Sequence, residues 1–104
     1  MRTQPRTYIM PASNPRYRMY FVEVTDTYAG EANYSWVTRH RVRASSARGA
    51  IVRINRESGL GLRRVADYGD CIRYDSRSGA TCAFVSEWDE AAHGELFHVR
   101  TDLA

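Results

Sequence analysis

Between Tyr34 and Ala44 the chain reads YSWVTRHRVRA, and from Arg39 to Arg43 every second residue is an arginine. Side chains of an extended strand alternate between its two faces, so a run of this kind is legible as a strand half buried in a sheet. It predicts a strand over residues 34–43, with Tyr34, Trp36, His40 and Val42 on one face and Arg39, Arg41 and Arg43 on the other. The first face is expected to be core. The second is expected to be a row of guanidinium groups. Burying three such groups without partners would cost several kcal/mol each, so any covering helix belongs on the Trp36 side.

The flanking segments supply the rest of a sheet. YRMYFVEVT is rich in aromatic and β-branched residues and predicts a strand over residues 18–25, while DTYAGEAN reads as a wide polar loop joining the two strands in a hairpin. In ASSARGAIVRINRESG, Ser45 or Ser46 is suited to cap a helix and Gly59 to end it, which predicts a helix over residues 46–57. Helical spacing gathers Ala47, Ala50, Ile51 and Ile54 on one side and leaves Arg48, Arg53 and Arg56 outside it. Three short strands follow near residues 62–68, 71–75 and 80–88, with turns at Gly69-Asp70 and Arg77-Ser78-Gly79. The last segment, DEAAHGELFHVRTDLA, fits either a short helix closed by Gly94 or an edge strand over Glu95–Arg100, and the strand is preferred. The order ββαβββ gives an α+β fold: an antiparallel sheet of five to six strands with one helix packed on one face.

All three prolines lie in MRTQPRTYIMPASNPR, which has neither helical nor strand period, so residues 1–16 are expected to form an N-terminal arm and residues 17–104 a single domain. A chain of 104 residues, 43% of them hydrophobic, supports one core. No apolar run reaches the roughly 18 residues of a membrane span, and no apolar stretch follows the first arginines as in a secretory signal. The expected location is the cytoplasm of a host bacterium, with no membrane partner. Two cysteines are too few for the disulfide framework of a small secreted domain. Every cationic Lys or Arg position is arginine, 15 in all, and these are unevenly spread: residues 1–64 hold 12 against 4 acids, whereas residues 65–104 hold 3 against 8.

Catalytic signatures are missing. GLGLRR has neither dinucleotide-loop spacing nor the lysine of a Walker A loop, and no G-x-S-x-G occurs. Asp67, Asp70 and Asp75 cluster at a turn, where aspartates ordinarily cap backbone groups. The order Cys71, Cys82, His93, His98 spaces its thiols too far apart for a zinc finger. With a turn at Arg77-Ser78, Cys82 faces Arg73 and Cys71 faces Phe84, a diagonal that suits two buried thiols better than a metal or a disulfide. We therefore expect no enzyme, no metal and no cofactor. The binding candidates are Arg39, Arg41, Arg43, Arg48, Arg53 and Arg56 with Tyr34 and Trp36, because arginine and aromatics together make protein-interface hot spots and also stacking platforms for single-stranded nucleic acid. The expected partner is a host protein or ribonucleoprotein complex, with direct RNA or single-stranded DNA binding as the alternative. Glu87, Asp89, Glu90 and Glu95 would repel phosphate and weigh against nucleic acid as the sole partner.

YFVEVTDTYAGEANYSWVTRH, the capped arginine-rich helix and DYGDCIRYD together resemble small proteins of unassigned function encoded by bacteriophages and other mobile elements, over roughly residues 20–86. The resemblance is one of general character and carries over no functional residue. It implies a kinship in role with inhibitors of host defence, anti-CRISPR proteins among them, which act by occluding a surface of an effector complex. Many of those are acidic mimics of DNA, and this basic chain departs from that pattern.

Overall fold

A computed structural model describes residues 17–103, with side chains described through Leu96; the expected arm over residues 1–16 lies outside them. Its elements are β1 (Arg18–Tyr28), β2 (Glu31–Ala44), α1 (Ala47–Ser58), β3 (Arg63–Asp67), β4 (Ile72–Asp75), β5 (Thr81–Glu87) and α2 (Glu90–Leu103). The α+β class and the strand–helix order through β5 follow the sequence reading. The five strands form one antiparallel sheet in the order β2-β1-β5-β4-β3, so β2 and β3 are its edges.

Helix α1 covers one face. Tyr20, Val22 and Val24 of β1, Val42 of β2, and Ala83 and Val85 of β5 meet Ala50, Ile51 and Ile54 of the helix, and Leu62 and Tyr74 complete the same core. Ala50 is fully buried, and so small a side chain lets the helix come close to the sheet. Burying Ile51 and Ile54 stabilises the packing by about 1.5–3 kcal/mol each. The helix ends where Ser46 and Gly59 predict: the Ser46 Oγ accepts from the Gly49 N–H at 3.0 Å, and Gly59, at φ 73°, donates its N–H to the Asn55 carbonyl at 2.8 Å. Asn55 then ties the helix to the chain entering β3, since its Oδ1 accepts from the Leu62 N–H at 2.7 Å and its Nδ2 donates to the Leu62 carbonyl at 3.1 Å.

The structure corrects the sequence reading in four places. The last segment is the helix α2, not a strand over Glu95–Arg100, so the described residues hold two helices. Gly94 lies inside α2 instead of closing it, and Asp89 opens the helix: its carboxylate accepts from the Ala91 N–H at 3.1 Å and its carbonyl from the N–H groups of Ala92 and His93. Aromatic packing decides the outcome. Phe21, on the sheet face opposite α1, stacks on His93 with ring centroids 4.1 Å apart and meets Trp88 at 6.0 Å. A helical turn carries His93 back over Phe21 while Trp88 stays beside it.

The wide loop at residues 26–33 is instead a tight turn at Ala29-Gly30, both at positive φ, and the strands pair up to it through Tyr28↔Glu31. The irregularity lies further along β2, where pairing shifts between Thr25 and Thr27 and the segment from Asn33 to Trp36 swells outward. Asp26 holds that bulge, its carboxylate accepting from Asn33 Nδ2 at 2.9 Å, from the Ser35 N–H at 3.0 Å and from the hydroxyls of Ser35 and Thr25. Third, the bulge resets the alternation. Tyr34, at φ 57°, turns away from the Trp36 face and donates its hydroxyl to Glu23 Oε1 at 3.1 Å. Fourth, the β4–β5 register pairs Arg73 with Phe84 and Asp75 with Cys82, two residues away from the expected pairing of Cys82 with Arg73, because the turn centres on Ser78-Gly79. Cys82 is buried, Cys71 half-buried, and both are free thiols.

Candidate binding edge

Parity explains what β2 offers to the outside. The Trp88 N–H donates to the Met19 carbonyl at 2.8 Å and the Thr27 N–H to the Ala80 carbonyl at 3.0 Å, so odd-numbered residues of β1 bond toward β5. Its even-numbered residues therefore bond toward β2, where Tyr20, Val22 and Val24 sit opposite Val42, His40 and Thr38. The N–H and C=O groups of Arg39, Arg41 and Arg43 consequently point away from β1. Among the described residues no strand pairs with β2 on that side. The three arginines thus present their side chains on the face opposite α1 and their peptide groups at the sheet's outer edge.

The guanidinium groups differ in environment. Arg39 is half-buried, and its Nε donates to Glu23 Oε2 at 3.0 Å, with both side chains under 20% exposed. Tyr34 shares that carboxylate. Burial, reinforced by the Glu23 charge, pushes the Tyr34 phenol up to about 12, which keeps it a neutral donor. Arg41 lies over the Trp88 ring, 5.1 Å from its centroid, in cation–π geometry. Arg43 is exposed and forms no ion pair among the described residues.

Between this edge and the flank of α1 runs a cleft of about 540 Å³, to which β2 contributes Arg39 to Arg43 and α1 contributes Arg53, Ile54 and Glu57. A smaller cleft of about 280 Å³ adjoins it, sharing His40, Ile54 and Glu57 and adding Trp36, Thr38 and Leu60. Together they make a groove along β2 that is basic at the Arg43 end and apolar at the Trp36 end. Trp36 is 45% exposed there. Arg53 reaches Glu57 on its own helix at 4.0 Å, a contact between exposed groups that leaves its charge available.

The predicted residues therefore divide. Arg39, Arg41, Arg43 and Arg53 line one cleft, the first three from the strand edge with their side chains on the face opposite α1, and Trp36 lines its extension, while Tyr34 stands on that opposite face beside Glu23. Arg48 belongs elsewhere, lining a groove at the other edge with Val52, Arg63, Arg64 and Tyr74. Arg56 is exposed in the last turn of α1 and lines neither cleft of the β2 groove. Sequence reasoning missed the platform of Phe21, Trp88 and His93 under Arg41, and missed Glu23 as the anchor of Arg39. A glutamate two residues from Phe21 in a strand is a signal for the latter only once the hairpin register is known.

Burial pushes both thiols upward, with the nearby Asp70 and Asp67 carboxylates adding to the effect at Cys71, so neither is a thiolate at neutral pH. No cluster of metal-ligating side chains occurs among the described residues, which exclude the His98 side chain. No helix among them is long and apolar enough to cross a membrane. Compared with protein-family models, curated proteins and solved structures, the chain matches none of them.

Proposed function

We propose that this chain is a non-enzymatic binding protein that docks the outer edge of β2 and its groove against an acidic surface of a larger partner, and that it inhibits or modulates a host defence complex in the manner of an anti-CRISPR protein. The gathering of Arg41 and Arg43 at the edge and Arg53 on α1 around one cleft, beside an Arg39 already paired with Glu23, carries this reading. Arginine suits the task because its planar fork binds carboxylates through two hydrogen bonds and keeps its charge on burial. The test pairs Arg43→Glu with Arg53→Glu, two exposed positions outside the core. In a CRISPR-immune host challenged by a targeted phage, the chain should restore plaquing and the double variant should not, although both melt within a few degrees of each other. Equal plaquing by the two proteins would remove the β2 edge from the site.

A second reading, direct binding of RNA or single-stranded DNA, draws support from the other edge, where Arg48, Arg63 and Arg64 surround Val52 and Tyr74 in a groove of about 460 Å³. Gel shifts across a salt series separate the two, because phosphate binding weakens steeply as counterions are added. Micromolar binding that collapses with salt and is lost in Arg48→Glu with Arg63→Glu would favour nucleic acid.

A further inference from the structure

Building on that reading, we infer that the β2 edge takes its partner by strand addition: an extended segment of a protein, alternating acidic and apolar residues, joins the sheet as a sixth strand outside β2. Three observations converge on this mode. The strand is 14 residues long and lies at the sheet edge, with the peptide groups of Arg39, Arg41 and Arg43 directed outward at alternate positions, which is the spacing that a neighbouring strand requires. The two faces of β2 then dictate the two faces of its guest. On the side away from α1, the guest meets the exposed Arg41 and Arg43, next to an Arg39 already paired with Glu23, and needs carboxylates. On the α1 side it enters the groove of Trp36, His40 and Ile54 and needs apolar side chains.

Charge also decides against the nearest competitor, a second copy of the chain. Antiparallel pairing of two β2 edges about Arg41 would set Arg41 against Arg41 and Arg39 against Arg43, and like charges directly opposite one another destabilise a strand pair. Long exposed edges are often protected in this way by charged residues, which block self-association while leaving the edge open to a guest of opposite charge. The other edge of the sheet, β3, has only five residues and a pairing irregularity between Arg64 and Ala66, so it offers a poorer template.

The probe is a capped peptide of about nine residues alternating glutamate with valine or threonine, compared with one of the same charge carrying proline at alternate positions, which cannot complete a ladder. Amide hydrogen exchange on the full chain reads the outcome. With the alternating peptide at saturation, the amides of Arg39, Arg41 and Arg43 should slow about tenfold or more, those of His40 and Val42 should stay as slow as in the free chain, and the proline peptide should leave all of them unchanged. Arg41→Pro should weaken peptide binding about tenfold beyond Arg41→Ala, since proline deletes an N–H that the β1–β2 ladder does not use. If the proline variant fails to fold, the exchange comparison still decides. Equal binding of both peptides, or binding that leaves the three amides exchanging freely, would overturn strand addition. So would protection that arises from a dimer in the absence of peptide, or an RNA oligonucleotide that displaces the peptide while leaving those amides open. Failure of the peptide while Arg43→Glu with Arg53→Glu still abolishes plaquing would defeat this mode of docking alone; failure of both would defeat the functional reading as well.

Discussion

Asp26 does more for the hairpin than any other single polar side chain described, because four hydrogen bonds from three residues converge on its carboxylate. The bond from the Ser35 hydroxyl is the largest cause, and together they hold its pKa well below the usual carboxylate range. The folded chain thus binds a proton at Asp26 less readily than the unfolded chain does, so the contribution is complete above the ordinary value of about 4 and disappears as pH falls toward the folded value. Asp26→Asn should lower the thermal midpoint at neutral pH and flatten its decline on acidification. Melts followed by circular dichroism across that range would check it, and an unchanged acid limb would show that the network does not hold the bulge. Arg39 illustrates the opposite lesson about legibility. Alternation placed its side chain on the correct face, but only the cross-strand register reveals Glu23 beneath it, and that register depends on a bulge whose stabilising contacts span seven to nine residues of sequence. Arg39→Glu would set two carboxylates together at a half-buried position and should cost about 1–3 kcal/mol by chemical denaturation, far more than Arg43→Glu.

Among the elements, α1 was readable at both ends because its signals are local: a serine three residues before the N–H it caps, and a glycine at the left-handed position that closes it. Ser46→Ala should destabilise the chain by about 1 kcal/mol, and Asn55→Ala by about 1–3 kcal/mol, because the second leaves both peptide groups of the buried Leu62 without their side-chain partner. Denaturant midpoints measured side by side would order the two; a milder effect at Asn55 would show that water replaces its amide. α2 was misread because the features that settle it are tertiary. Its glycine suggested an end and its spacing allowed a strand, whereas the residue that selects the helix, Phe21, lies on β1, over 70 positions away from His93.

For the molecule as a whole, the sheet separates two chemistries. One face and α1 form an apolar core, and the other face carries the arginine row, with Phe21, Trp88 and His93 at its covered end. Patterning made the first division legible only in part: of the four β2 residues expected to be core, Val42 is buried, whereas Tyr34 turns to the other face, Trp36 stays 45% exposed and His40 is half-buried. It could not show that the groove beside β2 joins an apolar end to a basic one, since that junction depends on where the last turns of α1 come to rest. Randomising Arg41 and Arg43 together among polar residues should leave most variants within a few degrees of the parent midpoint, whereas Val42→Ala, between them, should lose about 1–3 kcal/mol. A library melt would check this, and widespread unfolding at the two arginine positions would show that they belong to the scaffold. Alternation along β2 therefore has an evolutionary consequence. Within one strand, consecutive codons answer to different masters: Val42 and Ala44 are held by the core, while Arg41 and Arg43 are released from it, so a lineage can rewrite the chemistry of this edge without first rescuing its own ability to fold.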